Sequence, residues 1–184
     1  MAEIRQKTKS LVTWTKPVNF SGDCLPVRKG PRPQTTVWPL HLQSTDHGDP
    51  TFLDELINYA LAWPQIDSTI AFASQDSVSV RLRENVATTD PATFITEREF
   101  ARIILTLPTI YLSLPLIWAH WAIVRSWAEP NHDRYLGKMP PGAVLVYTPK
   151  NREELAVCYF LFLQAYGGCL QHRGEMSGSA NFDG

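Results

Sequence analysis

From residue 103 to residue 124 the chain carries no Asp, Glu, Lys or Arg, and what this run can become limits every arrangement of the rest. An uncharged apolar run of such length is the usual mark of a membrane-spanning helix. Two prolines argue otherwise. Pro108 and Pro115 divide the run, and proline breaks a helix interior because it lacks the N–H and its ring clashes with the preceding turn. The portion up to Leu114 is instead rich in Ile103, Ile104, Thr106, Thr109, Ile110 and Tyr111, β-branched and aromatic side chains that suit a pleated surface. The expected outcome is a pair of strands followed by a short buried helix over 116–128, opened by Pro115 where a first turn tolerates proline and stopped by Pro130. That helix is apolar nearly all round, which implies burial on more than one side and packing of Trp118, Trp121 and Trp127. No stable membrane span is expected.

Residues 1–50 hold Pro17, Pro26, Pro31, Pro33, Pro39 and Pro50 among basic and polar residues, so they read as an extended arm with only short regular pieces, wrapped on the domain. A helix follows over 51–62, with Phe52, Leu56, Tyr59, Ala60 and Trp63 at helical spacing and Pro64 just beyond its end. Runs at 68–73 and 77–83, separated by Gln75 and Asp76, read as a hairpin. Further strands are expected at 93–95, 100–107, 111–114 and 142–147. Asn151 with Glu154 forms a capping-box pattern opening a last helix to Tyr166, which Gly167 and Gly168 end. Residues 171–184 are polar and glycine-bearing, a flexible tail. With 184 residues, one domain over 51–170 is the natural count. Strands grouped before alternating helices give the α+β class: an antiparallel or mixed sheet with helices packed on one face and the arm outside it.

Composition removes several functions. With 17 Lys+Arg against 18 Asp+Glu and a net charge of −1, no electrostatic footprint for nucleic acid exists. Cys24, Cys158 and Cys169 are odd in number and lack zinc spacing, which points away from a disulfide framework and toward a reducing compartment. MAEIRQKTKS is polar with no apolar run behind it, so no secretory signal is expected and the location is read as cytoplasmic. The five histidines, His41, His47, His120, His132 and His172, show no pair at helix-face spacing, so no metal is expected. No phosphate loop, dinucleotide fingerprint, nucleophile elbow or HExxH occurs, so no cofactor is expected either. The six tryptophans either fill the core or line a pocket for an apolar small molecule. Oligomeric state is left open.

Four segments occur in a telling order: Leu25-Pro26-Val27-Arg28-Lys29-Gly30-Pro31-Arg32-Pro33, Arg98-Glu99-Phe100-Ala101, Trp127-Ala128-Glu129-Pro130, and Tyr147-Thr148-Pro149-Lys150-Asn151-Arg152-Glu153-Glu154. Together they resemble the luciferase-like domain family that includes fungal luciferases, over about residues 25–166. The resemblance implies a catalyst that works on a polyketide-type molecule with oxygen and without metal or flavin. The family follows its Glu-aromatic/aliphatic-Ala step with two histidines one residue apart; here Arg102 and Ile104 occupy those places. A third family histidine corresponds to Tyr111, and a fourth to His132, displaced by the extra residue Asn131.

Losing three histidines removes the obvious proton-moving groups. Arg102 offers a permanent cation and Tyr111 a hydroxyl, both suited to holding a carbonyl or carboxylate. Holding a flexible substrate in one reactive conformation lowers a barrier without proton transfer. The resulting expectation is a cofactor-independent enzyme of secondary metabolism that folds an apolar polyketide- or terpenoid-like molecule and promotes its cyclisation or isomerisation, a pericyclic cycloaddition being one candidate. Arg102, Tyr111 and His132 would act on the polar handle; Ile104, Trp127 and Tyr147 would form walls. The alternatives are an oxygenase that keeps family chemistry and a non-catalytic binding protein. Each residue also has a plain structural reading: Arg102 paired with Glu99, Tyr111 a core tyrosine, His132 a surface histidine, His120 a satisfied core histidine and Trp118 and Trp127 packing. Glu129, a carboxylate at a helix C-terminus, runs against the macrodipole and invites another reason.

Overall fold

The computed structural model describes residues 25–37, 40–67, 76–88 and 90–170. The elements run β1 (Thr35–Thr36), β2 (Leu42–Gln43), α1 (Pro50–Leu61), β3 (Ser77–Arg81), β4 (Glu99–Ile104), β5 (Thr109–Ser113), α2 (Leu116–Val124), β6 (Ala128–Pro130), β7 (Ala143–Val146) and α3 (Arg152–Cys169), with 3-10 turns at Pro91–Thr93 and His132–Arg134. β1 and β2 pair by themselves, while the main sheet has the order β3-β4-β5-β7-β6, every neighbouring pair antiparallel. This is the α+β class expected. No helix among the described residues is long and apolar enough to cross a membrane.

Local chemistry explains most boundaries. Asp49 caps α1, its carboxylate accepting from the Thr51 N–H at 2.8 Å, with Pro50 at the first position, where its missing N–H costs nothing. Asn151 caps α3 by accepting from the Glu154 N–H at 2.9 Å. The Glu154 carboxylate turns instead to the Lys150 N–H at 3.1 Å and to Arg28, so the capping box is only half formed. β3 alternates half-buried and buried residues, as a strand with one covered face should. Every residue of β5 and β7 is buried, which requires cover on both faces of the sheet.

On one face the cover is helical. Val78, Ile103, Ile110, Leu112, Val144 and Val146 meet Leu53, Leu56 and Ala60 of α1, Leu155, Leu161 and Phe162 of α3 and Ala119 and Ala122 of α2 in one core. On the other face the cover comes from the arm residues Thr35, His41, Leu42 and Gln43, stitched down by polar contacts rather than by a second large apolar cluster. The start of the arm is held on the helix side, where Leu25 joins the core, Trp127 Nε1 donates to the Pro26 carbonyl at 2.6 Å, and Arg28 Nη2 reaches Glu154 of α3 at 3.3 Å with both side chains buried. Further along, the Gln43 N–H donates to Thr109 at 3.0 Å and the Gly48 N–H to Thr148 at 2.8 Å.

Several expectations are corrected. The helix expected to Ala128 ends at Val124. Ser126 adopts a left-handed φ of 64°, and the Trp127 N–H bonds back to Ala122 at 2.8 Å while the Ser126 N–H bonds Ile123 at 3.1 Å. That pattern is a Schellman cap, and it frees 128–130 to pair with β7. Nor is α2 buried on several sides: only Ala119 and Ala122 are buried, while Leu116, Ile117 and Val124 stand exposed. α3 does not stop at Gly167 and Gly168 but includes both. A Cβ on Gly168 would lie 2.6 Å from Pro115 Cγ, so this glycine permits close packing inside the helix rather than ending it. Residues 93–95 form no strand, since Pro91 opens a 3-10 turn there. The expected strand at 68–73 and the tail at 171–184 lie outside the described residues.

Candidate functional site

Strand pairing sets Ser79, Arg102, Tyr111, Leu145 and Glu129 side by side in one row across the arm-covered face. With strands about 4.8 Å apart, the Arg102 and Glu129 backbones stand about 14 Å from each other. A small apolar cluster lies along this row: Ile95, Tyr111, Leu145 and Tyr147, with Leu42 of the arm, Ile104 and Met139 half-buried against it.

Arg102 owes its setting to an irregularity in β4. Glu99 and Arg102 are three residues apart, which in a regular strand would send them to opposite faces. The register shifts so that Val80 pairs with Ala101 and Arg81 with Glu99, leaving Phe100 as an extra residue. This bulge lets Phe100, Ala101 and Ile103 all enter the helix-side core while Glu99 comes round to Arg102. The ion pair is bidentate, Nε to Oε1 at 2.7 Å and Nη2 to Oε2 at 2.5 Å, and Thr96 adds a hydrogen bond to Oε2 at 2.5 Å. Glu99 is 1 % exposed, whereas the Arg102 side chain keeps 34 % of its surface open. Arg102 therefore presents a cation whose orientation is set from behind.

Tyr111 donates its hydroxyl to the His41 carbonyl. Burial, with a contribution from Asp133, pushes this hydroxyl up to about 12, against the pull of Arg102. It keeps its proton at neutral pH and acts as a donor.

Glu129 is the hub of the other end. Oε1 accepts from Thr35 at 2.6 Å and from His41 Nε2 at 2.5 Å, and Oε2 accepts from the Tyr147 hydroxyl at 3.1 Å. The His132 N–H donates to His41 Nδ1 at 3.1 Å, which leaves the Nε2–H tautomer to face Glu129. Burial opposes ionisation of Glu129, but the hydrogen bonds from His41, Thr35 and Tyr147 outweigh it and hold the carboxyl below its ordinary range. Burial and Glu129 together push the Tyr147 hydroxyl up. Each of these side-chain polar atoms has a partner, so the network fastens the arm to the sheet.

Of the residues singled out from the sequence, Arg102, Ile104, Tyr111 and Tyr147 share this face. His132 is exposed and contributes its backbone N–H rather than its ring. Trp127 is corrected: it packs into the helix-side core, because Ser126 turns the chain just ahead of it. His120, read as a core residue, is exposed on α2. His41 and Thr35 escaped notice, since nothing local marks an arm residue as the partner of a strand about ninety positions away. Glu129 did carry a signal: its conflict with a helix C-terminus dissolves because it is a strand residue with three donors.

Among the described residues no group of His, Cys, Asp and Glu could hold a metal ion. Cys158 and Cys169 are buried free thiols; burial first, and for Cys158 also Glu154, pushes each up to about 12, which removes them as nucleophiles near neutrality. What the face offers is an oriented guanidinium, a protonated phenol and half-buried apolar edges, groups that bind and orient. Comparison with family models, with curated proteins and with solved structures finds no match for this chain.

Proposed function

We propose that the arm-covered face binds an apolar small molecule of polyketide or terpenoid type by a carbonyl or carboxylate handle and promotes its cyclisation or isomerisation without a cofactor, as a diverged relative of the luciferase-like domain proteins. The carrying observation is the juxtaposition of Arg102 and Tyr111, paired residue to residue on adjacent strands and bordered by half-buried Ile104, Leu42 and Met139. Arg102, held by Glu99, supplies the cation for the handle; the apolar border holds the body of the molecule. Among the described residues the carboxylates of this face, Glu99 and Glu129, are both tied up in hydrogen bonds, which favours a reaction driven by conformation. A pericyclic ring closure fits that requirement: π electrons become σ bonds, no proton is transferred, and the product has the mass of the substrate.

One observation favours a second reading. The Tyr111 hydroxyl is spent on the His41 carbonyl and two Arg102 donors on Glu99, an arrangement equally suited to a protein that binds and does not turn over. The test is to identify the metabolite that accumulates when the gene is removed from its producer and to add purified protein to it. A product of identical mass, with kcat/KM falling at least about tenfold in Arg102→Ala and partly restored in Arg102→Lys, supports the enzyme. Saturable binding without conversion selects the second reading. Incorporation of oxygen replaces both with an oxygenase, and full turnover in Arg102→Ala and Tyr111→Phe alike overturns the site.

A further inference from the structure

α2 is anchored by small side chains and leaves its large ones outside. Ala119 and Ala122 let the helix approach the core closely, while Leu116, Ile117 and Val124 are 66 %, 58 % and 52 % exposed. Beside it, the turn after the His132–Arg134 3-10 turn exposes Tyr135 and Leu136. Single exposed apolar residues need no explanation, but a contiguous set on an uncharged helix does.

Between α2 and that turn lies an open groove of about 420 Å³, with Leu116, Ile123 and Pro141 as apolar walls and His120, Arg134 and Tyr135 as its polar groups. Its volume falls in the range of about 300–1,000 Å³ common for small-molecule sites. Arg134 is braced from behind: Nη1 donates to the Pro141 carbonyl at 3.2 Å, Nη2 reaches the Tyr135 hydroxyl at 3.4 Å, and Cζ stands 4.9 Å from the Tyr135 ring centroid. It forms no ion pair among the described residues. A guanidinium oriented by these contacts at an apolar groove complements a molecule with an apolar body and one anionic end. A polyanion would meet one cation where it needs several, and a neutral hydrocarbon would leave the guanidinium unanswered.

We propose that this groove binds a monomeric amphipathic carboxylate, its chain against Leu116, Ile123 and Pro141 and its carboxylate on Arg134. The site is distinct from the Arg102–Tyr111 face, and neither depends on the other. It is tested by calorimetric titration of the full chain with dodecanoate and with dodecanol, both below their aggregation limits. Saturable binding of dodecanoate is expected, with dodecanol about fivefold weaker, as one partly exposed charge pair provides. Arg134→Gln brings dodecanoate down to the level of dodecanol, Arg134→Lys keeps most of the difference, and Leu116→Asp weakens both ligands. Absence of binding, or equal binding by wild type and Arg134→Gln, would overturn the proposal. So would cosedimentation with phosphatidylserine vesicles without binding of monomeric dodecanoate, which would make the face a membrane contact.

Discussion

The two faces of the five-stranded sheet are closed by different physics. On the helix side, Ile103, Ile110, Leu112, Val144 and Val146 meet apolar side chains of three helices, and stabilisation scales with buried area, at roughly 25 cal/mol per Å². On the arm side the row holds Arg102, Tyr111 and Glu129, and an irregular segment lies over it through directed hydrogen bonds. Apolar packing is tolerant of partner and angle; a hydrogen-bonded strap works only if each donor finds its acceptor, because an unpaired buried polar group costs about as much as the bond contributes. The first face therefore carries the fold, and the second carries the residues of the candidate site.

Substitutions should separate the two. The largest effect is expected on the helix side: Ile110→Ala, with Ile110 wholly buried, should cost about 3 kcal/mol in urea unfolding while the transition stays cooperative. A loss below about 1 kcal/mol would mean that this face is not the main core. Glu129→Ala, which removes the acceptor of Thr35, His41 and Tyr147, should cost about 2 kcal/mol. Its distinctive signature is local: amide exchange in residues 34–37 and 40–44 should rise ahead of that in β5. Uniform exchange across both would show that the arm and the helix-side core unfold as one unit.

pH sharpens the same contrast. The Glu129 carboxyl is held below its ordinary range, so its contribution is fully present above the unfolded carboxylate value and is lost as pH falls through the lower folded value. Acidification from about pH 5 downward should loosen the strap in wild type, and Glu129→Gln should flatten that limb of the profile at the cost of stability at neutral pH. An unchanged acid limb in Glu129→Gln would assign it to other carboxylates.

The smallest effects come from two adjacent glycines and have opposite signs. Gly167→Ala meets nothing within 4 Å and should stabilise α3 by about 0.5–1 kcal/mol through helix propensity. Gly168→Ala must displace Pro115, 2.6 Å from the added Cβ, and should destabilise by about 1 kcal/mol or more. Equal shifts in melting temperature would refute the close approach of α3 to Pro115.

Legibility in the sequence follows the same division. The division of the uncharged run at Pro108 and Pro115 was readable, as was α1 ahead of Pro64, because periodicity and proline act over a few residues. The end of α2 was not: Ser126 in a left-handed conformation has no compositional mark, and the expected continuation to Ala128 concealed β6. Arg102 and Tyr111 were named together as holders of one polar handle, but their sharing a face was not readable, and the bulge at Phe100 that joins Glu99 to Arg102 was invisible, since a strand pattern contains no sign of an extra residue. The identity of the cover over Tyr111 was equally hidden.

The sequence by itself determined the α+β class, most of the elements and the apolar set that the helices bury, because those depend on local spacing and on side chains that accept any apolar neighbour. Only the tertiary structure decided the partner of Glu129, the helix-side place of Trp127, the open groove beside α2 and the arm residue on Tyr111. Each of these joins groups distant along the chain, as His41 and Tyr111 are by 70 positions, and hydrogen-bond geometry there is satisfied by one arrangement of the whole chain rather than by any pattern within a segment.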